Sequence, residues 1–424
     1  MRVKVSTGFI ALIACTVGAA DWAQWGGPNR DFQADASERL ADSWPASGPR
    51  KLWERQLGEG YSAIAVRGDS LYTMYRREAA FWQIFTADQE VVAALERRTG
   101  ATKWEFAYDA TFKNPQGPGP HAMPQLAGDL LFSVGSSGKV HALKAQTGEL
   151  VWKRDLYEEL GGSRLSFGYA SHPLFYGGNL IVTVGGGKNK GVAAIDQKSG
   201  RIVWARFSFA NAYSSPILIR AGDLDQVVIL AAQQILAVDP HDGKALWTLS
   251  LGTDAAMAFC STPLWDAATQ TLVFAGAYSY GATALRISAD GARTLWQDRK
   301  LQLLFGNMLL AGGTIYFSRG YYGPSFLTAV DIKTGESKWS AREFARASLL
   351  GADGKLIILD EEGWLGLAML NPDRSLKILS KARVLSENAW TVPTLVDGRL
   401  YLRDRKVIMA LDAGTSGGVS QRER

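Results

Sequence analysis

One hairpin, met again and again along the chain, limits what this sequence can fold into more than any other feature. Ala329-Val330-Asp331-Ile332-Lys333-Thr334-Gly335-Glu336-Ser337-Lys338-Trp339 reads as the end of a β-strand, a tight Thr-Gly turn and a second strand carrying a tryptophan. The pattern returns from Ala94 to Trp104, Ala142 to Trp152, Ala194 to Trp204 and Ala237 to Trp247, and with an insertion from Ala284 to Trp296. A worn copy starts at Met369 and puts Leu379 in the place of the tryptophan. Two half-copies remain. Trp53 follows no alanine, and Ala410-Leu411-Asp412 precedes no tryptophan.

Self-similarity spaced by 40 to 52 residues overrides the three-domain expectation that 424 residues would otherwise carry. Each repeat also holds an earlier hairpin, as in Pro173-Leu174-Phe175-Tyr176-Gly177-Gly178-Asn179-Leu180-Ile181-Val182 and in Pro393 to Leu402 with its Asp397-Gly398 turn. Turns of this kind need residues that accept positive φ. Four short antiparallel strands per repeat make a propeller blade. Helical repeats would need a 3.6-residue apolar period, which is missing. The Trp-Asp and Gly-His signatures of another propeller class do not recur either. Counting tryptophans predicts an all-β, eight-bladed β-propeller of four-stranded antiparallel blades. The half-copies predict its closure: residues 51–54 supply the outer strand of the blade whose inner strands lie at about 391–412, which leaves no open edge.

The expected organisation is a signal peptide at 1–20, an N-terminal docking segment at 21–50, the propeller at 51–412 and a disordered tail at 413–424. Arg2 and Lys4, the apolar run Phe9 to Val17 and the small residues Gly18-Ala19-Ala20 have the order of an export signal. Leu12-Ile13-Ala14-Cys15 offers lipidation at Cys15 as the alternative to cleavage after Ala20. Both place the protein outside the cytoplasm, periplasmic or associated with the outer membrane. The run is too short for a transmembrane helix. In Trp22-Ala23-Gln24-Trp25-Gly26-Gly27-Pro28, the indoles are expected to pin the leader to the folded body. With Cys15 removed or acylated, Cys260 is the remaining thiol and no intrachain disulfide can form. The balance of 46 Lys and Arg against 41 Asp and Glu, without a dense basic run, gives no case for nucleic acid.

The repeat Ala-x-Asp-x-x-Thr-Gly-x-x-x-Trp resembles the tryptophan-docking motif of the quinoprotein (PQQ-like) propeller family. Ala329, Asp331, Thr334, Gly335 and Trp339 match it in full, and Ala194, Asp196, Gly200 and Trp204 match with Ser199 for threonine. The leader from Asp21 to Arg30 is similar to that of secreted bacterial PQQ-repeat proteins akin to BamB, the outer-membrane barrel assembly lipoprotein. The resemblance implies a non-catalytic, monomeric envelope scaffold with protein partners and no cofactor. It also implies two alternatives, a PQQ-dependent oxidoreductase of the alcohol or sugar dehydrogenase type with PQQ and calcium, or a glycan- or peptide-binding propeller. Family dehydrogenases carry a vicinal disulfide under the quinone, and this chain has no Cys-Cys pair.

Residues just before each innermost strand converge on the ring axis. Three positions before the proline or its equivalent stand His121, Ala170, Tyr213, Cys260, Phe305, Arg346 and Trp390. One position before it stand Met123, His172, Ser215, Thr262, Asn307, Ser348 and Val392. Positions two apart share a face. The candidate ligand site at the channel mouth is therefore His121, His172, Tyr213, Arg346 and Trp390, with Arg346 the group for an anion. No paired carboxylates occupy these rows, so no catalytic residue is expected, and two histidines without a third ligand make no metal site. The inserted cluster Phe81, Trp82, Ile84 and Phe85 is expected to pack on the propeller's own surface.

Overall fold

Glycine-bearing two-residue turns join the first two strands of every blade but the fifth, where Ala267-Ala268-Thr269-Gln270 makes the turn, and the strands assemble into eight four-stranded antiparallel sheets in the computed structural model. It describes residues 21–77, 88–110, 112, 117–162, 164–252, 259–278, 280–321, 323–370, 375–386 and 388–415. The signal segment, Cys15, the cluster at Phe81 to Phe85 and residues 416–424 lie outside the described residues. Blades 1 to 7 occupy residues 65–109, 125–155, 174–206, 217–250, 264–298, 309–341 and 347–383. Blade 8 takes three strands from 394–412 and its outermost strand, Arg50–Gln56, from the other end of the chain. Trp53 pairs with Ala410, the register of Trp339 with Ala329. The ring closes as the two half-copies require.

The core lies between blades rather than inside them. In the strand Gln234–Val238, Ile235 and Ala237 join the layer shared with blade 5, while Leu236 and Val238 join the layer shared with blade 3. A strand buried on both faces must be apolar at successive positions, which explains near-continuous runs such as Val227-Val228-Ile229-Leu230. The outermost strands alternate instead, as in Thr102–Asp109, because one face meets solvent.

The repeated hairpin builds the contact between neighbours. Trp296 lies flat on Gly335 of the next blade, where an added Cβ would stand 2.7 Å from the indole, and its Nε1 donates to the Ile332 carbonyl at 2.9 Å. Gly335 also sits at φ +76°, so glycine is required twice over. Trp53, Trp104 and Trp152 dock on Gly100, Gly148 and Gly200 and donate to Arg97, Ala145 and Gln197, each three residues before its glycine.

Blade 7 corrects the reading of Leu379. In the other blades the bulge precedes the tryptophan, and in blade 7 Leu367 pairs with Ser380 and Ala368 with Ile378, so Leu379 falls in the bulge. Ser380 holds the tryptophan position. Its hydroxyl accepts from Trp44 N at 2.6 Å and donates to Trp44 O at 3.0 Å. Trp44, buried at 8 % exposure, sends its Nε1 to the Ala413 carbonyl at 3.5 Å. Ala413 follows Ala410-Leu411-Asp412 as Ile332 follows Ala329-Val330-Asp331. The missing girdle indole is thus supplied by the N-terminal segment.

The rest of that segment threads the ring centre. Trp22 and Val66 exchange two backbone hydrogen bonds of 3.0 Å on the innermost strand of blade 1. Leu126 N donates to Ala23 O, Gly351 N to Phe32 O and Ala34 N to Gly351 O, so blades 2 and 7 also gain partners on their inner edges. Arg30 donates to the Pro173 and Pro216 carbonyls of blades 3 and 4 and to Gln125 Oε1. Glu38 then accepts from Asp397 N and Gly398 N on blade 8. Inner strand edges that would otherwise face an open channel are capped from within. Among the described residues, no helix is long and apolar enough to cross a membrane.

Candidate functional site

The loops that enter the innermost strands meet around a cavity of about 200 Å³. Each loop is fixed to its neighbour. Thr391 Oγ1 donates to Tyr61 O, Ser214 Oγ to Ser261 O, Ser261 Oγ to Gly306 O, and Asn307 trades two 2.9 Å hydrogen bonds with Leu349. A belt of side-chain to backbone bonds therefore holds the rim in register around the ring.

Four of the five residues singled out from sequence line this cavity: His121, His172, Tyr213 and Trp390. Arg346 stands outside the lining. Its guanidinium forms an ion pair with Glu361, Nε at 3.0 Å and NH2 at 2.8 Å, and also donates to the Tyr321 carbonyl. Glu361 accepts from Trp390 Nε1 at 3.0 Å as well, and Arg346 packs over the Phe305 ring. The carboxylate that Arg346 would seek in a ligand is already supplied by its own strand pair. Met123 and Asn307 are likewise turned into the fold, both nearly fully buried.

Sequence reasoning missed Tyr61, Trp25, Phe167 and Tyr278, whose rings also line the cavity. Tyr61 is the blade 1 counterpart of His121, hidden because Ile64 stands where blade 2 has Pro124. Its ring stacks on His121 at 5.5 Å and leans on Trp390 at 5.0 Å, and Trp390 continues to Phe305 at 4.9 Å. One wall is an unbroken arc of four rings. Phe167 comes from the excursion that begins at the short helix Leu156–Leu160, capped by Asp155. Its backbone N–H donates to Tyr213 Oη at 3.2 Å.

Trp25 belongs to the leader, and its role at the centre had no signal beyond its own bulk. It stacks on His172 with centroids 3.8 Å apart and planes 6° apart, and Nε1 donates to Thr262 Oγ1 at 2.9 Å. Beneath it, Arg30 borders a second cavity of about 460 Å³ between the leader and the inner strands of blades 3 to 6. The leader divides the central channel in two.

Among the described residues, the lining of the upper cavity carries no charge. Burial lowers His121 to about 4. His172 falls well below the usual histidine range, first by burial and then because Arg30 and His121 are near. Ser215 Oγ accepts from His172 N and faces Nδ1 at 3.0 Å, while Nε2 is buried without a hydrogen-bond partner. Burial pushes the Cys260 thiol up to about 12 and the Tyr213 phenol up to about 12. At neutral pH all four are uncharged.

A PQQ cofactor, which the fold family raises, carries three carboxylates. The lining residues do not fit it: among the described residues no cation faces the cavity, Arg346 is paired, and Arg30 is bound to backbone carbonyls. Among the described residues no group of three His, Cys, Asp or Glu side chains is placed to hold a metal ion.

Comparison with known proteins agrees with this architecture. The family model described as "Outer membrane protein assembly factor BamB" matches residues 87–341. The chain is 25 % identical over 305 residues to the outer membrane protein assembly factor BamB of Yersinia pestis, covering 67 % of this chain and 72 % of that one. The crystal structure of BamB from Moraxella catarrhalis superposes with a TM-score of 0.58 at 17 % identity, covering 86 % of this chain and 99 % of that one. Quinohemoprotein alcohol dehydrogenase from Comamonas testosteroni superposes with a TM-score of 0.64 at 14 % identity, covering 94 % and 81 %. The last two likenesses show the shared propeller alone. With more than half its length matched by that model, the chain belongs to the PQQ-like β-propeller repeat family of BamB.

Proposed function

We propose that the protein is a non-catalytic propeller scaffold of the cell envelope, exported to the periplasm or the outer membrane, that binds other envelope proteins. The observation that carries this reading is the state of the ring centre. Where the fold would seat a cofactor, the chain's own leader runs through the channel and the cavity above it presents uncharged side chains. The family's description as an assembly factor supports the same reading. A rigid ring with capped inner edges offers its loops and rim as contact surface. The oxidoreductase alternative gains fold likeness to quinohemoprotein alcohol dehydrogenase and no side-chain support.

The test is in-cell cross-linking followed by affinity capture of the full-length protein and identification of what is attached. Reproducible enrichment of a defined set of envelope proteins is expected. Capture of nothing beyond an unrelated exported control protein would overturn the reading.

A further inference from the structure

We infer that the cavity above Trp25 is a binding site for one uncharged aromatic ring system of about indole size. Size comes first. A dry apolar cavity of about 150 Å³ accepts benzene, and this one measures about 200 Å³, enough for a fused bicycle. Its wall is the arc His121, Tyr61, Trp390 and Phe305, whose rings pack on one another and so are already oriented to receive a flat partner by stacking or edge contact.

Polarity decides the charge of the ligand. Several polar groups at the wall are engaged with the protein: Ser215 with His172, Thr262 with Trp25 Nε1, Thr391 with Tyr61 O and Tyr213 Oη with Phe167 N, while the unpartnered His172 Nε2 belongs to a neutral ring. An anion entering here would lose its water and find no cation among the described lining residues, a cost of several kcal/mol for an unpaired carboxylate. A neutral ring loses little on entry and gains contact on several sides. The molecule also contains its own precedent. Trp25 lies in the same channel, sandwiched on His172 with its N–H satisfied by Thr262.

The experiment is isothermal titration of the full-length protein with indole, with indole-3-carboxylate and with N-acetyltryptophanamide. Indole should bind saturably, and indole-3-carboxylate at least about 30-fold more weakly, the ratio that about 2 kcal/mol of uncompensated desolvation gives. The third ligand separates the two sources of such a ring. Binding comparable to indole identifies a side chain presented by a polypeptide, and weaker binding identifies a free small molecule. Ala170→Leu places bulk in the cavity wall and should abolish binding without lowering the melting temperature by more than a few degrees. Trp390→Ala should weaken it about 10-fold. Saturating indole should also slow alkylation of Cys260, which lines the same cavity, as read by mass spectrometry of its peptide.

Absence of saturable indole binding to the folded protein overturns the inference. So does equal affinity for the carboxylate, or unchanged affinity in folded Ala170→Leu. None of these titrations involves a protein partner, so the site and the scaffold reading stand or fall separately.

Discussion

His121 and His172 owe their neutrality to burial, and that has a consequence for stability. The folded value of His121, about 4, lies below the unfolded value of about 6.5. Between these values the unfolded chain binds the extra proton, so stability falls as pH drops from about 6.5 and levels off below about 4. The full effect of His121 is about 3 kcal/mol. Melting temperatures measured from pH 7 to pH 4 should decline, and His121→Phe, which keeps a ring against Tyr61, should flatten the decline. An unchanged slope would show that other groups govern it. At this scale the sequence was readable where spacing carried the information, since counting back from each innermost strand reached His121, His172, Tyr213 and Trp390. It was unreadable where partners decide. The rows of residues that place Arg346 hold no trace of Glu361, which lies 15 residues on and pairs with it across a hairpin.

The tryptophan-bearing hairpins set the second scale, and blade 7 is its sharpest test. If Trp44 replaces the missing girdle indole, Trp44→Ala should destabilise by about 3–5 kcal/mol, as deletion of a buried aromatic does. Ser380→Ala, which strips the partner from Trp44 N and O, should cost about 2 kcal/mol. Denaturant unfolding measures both. A loss below about 1 kcal/mol for Trp44→Ala would show that the girdle does without an eighth indole. The docking glycines allow a paired comparison. Gly335 and Gly312 both have positive φ, but only at Gly335 does a Cβ meet an indole. Gly335→Ala should therefore cost about 1–3 kcal/mol more than Gly312→Ala, whose penalty is the backbone strain alone. The strand count, the turns and the closure of the ring were legible because glycine and tryptophan recur in register. Trp44 was not, because a segment outside the repeat supplies it and only the bulge at Leu379 reveals the vacancy.

Across the whole molecule, one seam differs from the others because it joins the two ends of the chain. Arg403, fully buried on blade 8, donates to the carbonyls of Ser62 and Met74 and to Thr73 Oγ1 on blade 1. Arg97 crosses the same seam in the other direction to Tyr401 and Asp397. Arg403→Met should cost about 3 kcal/mol, because several buried carbonyls lose their donor together. Amide hydrogen exchange in Arg50–Gln56 and Val407–Asp412 should rise before that of blades 3 to 6. Uniform exchange around the ring would show that the closing seam is no weaker than the rest.

At the ring centre, the leader runs through the channel and the described lining of the cavity above it is uncharged. The central claim is that such a centre supports binding and not quinone chemistry. Equilibrium titration of the full-length protein with PQQ and calcium, followed in the same samples by alcohol- and sugar-dependent dye reduction, tests it most directly. No saturable PQQ binding and no turnover above the protein-free control are predicted. Saturable binding with substrate-dependent reduction of the dye would contradict it.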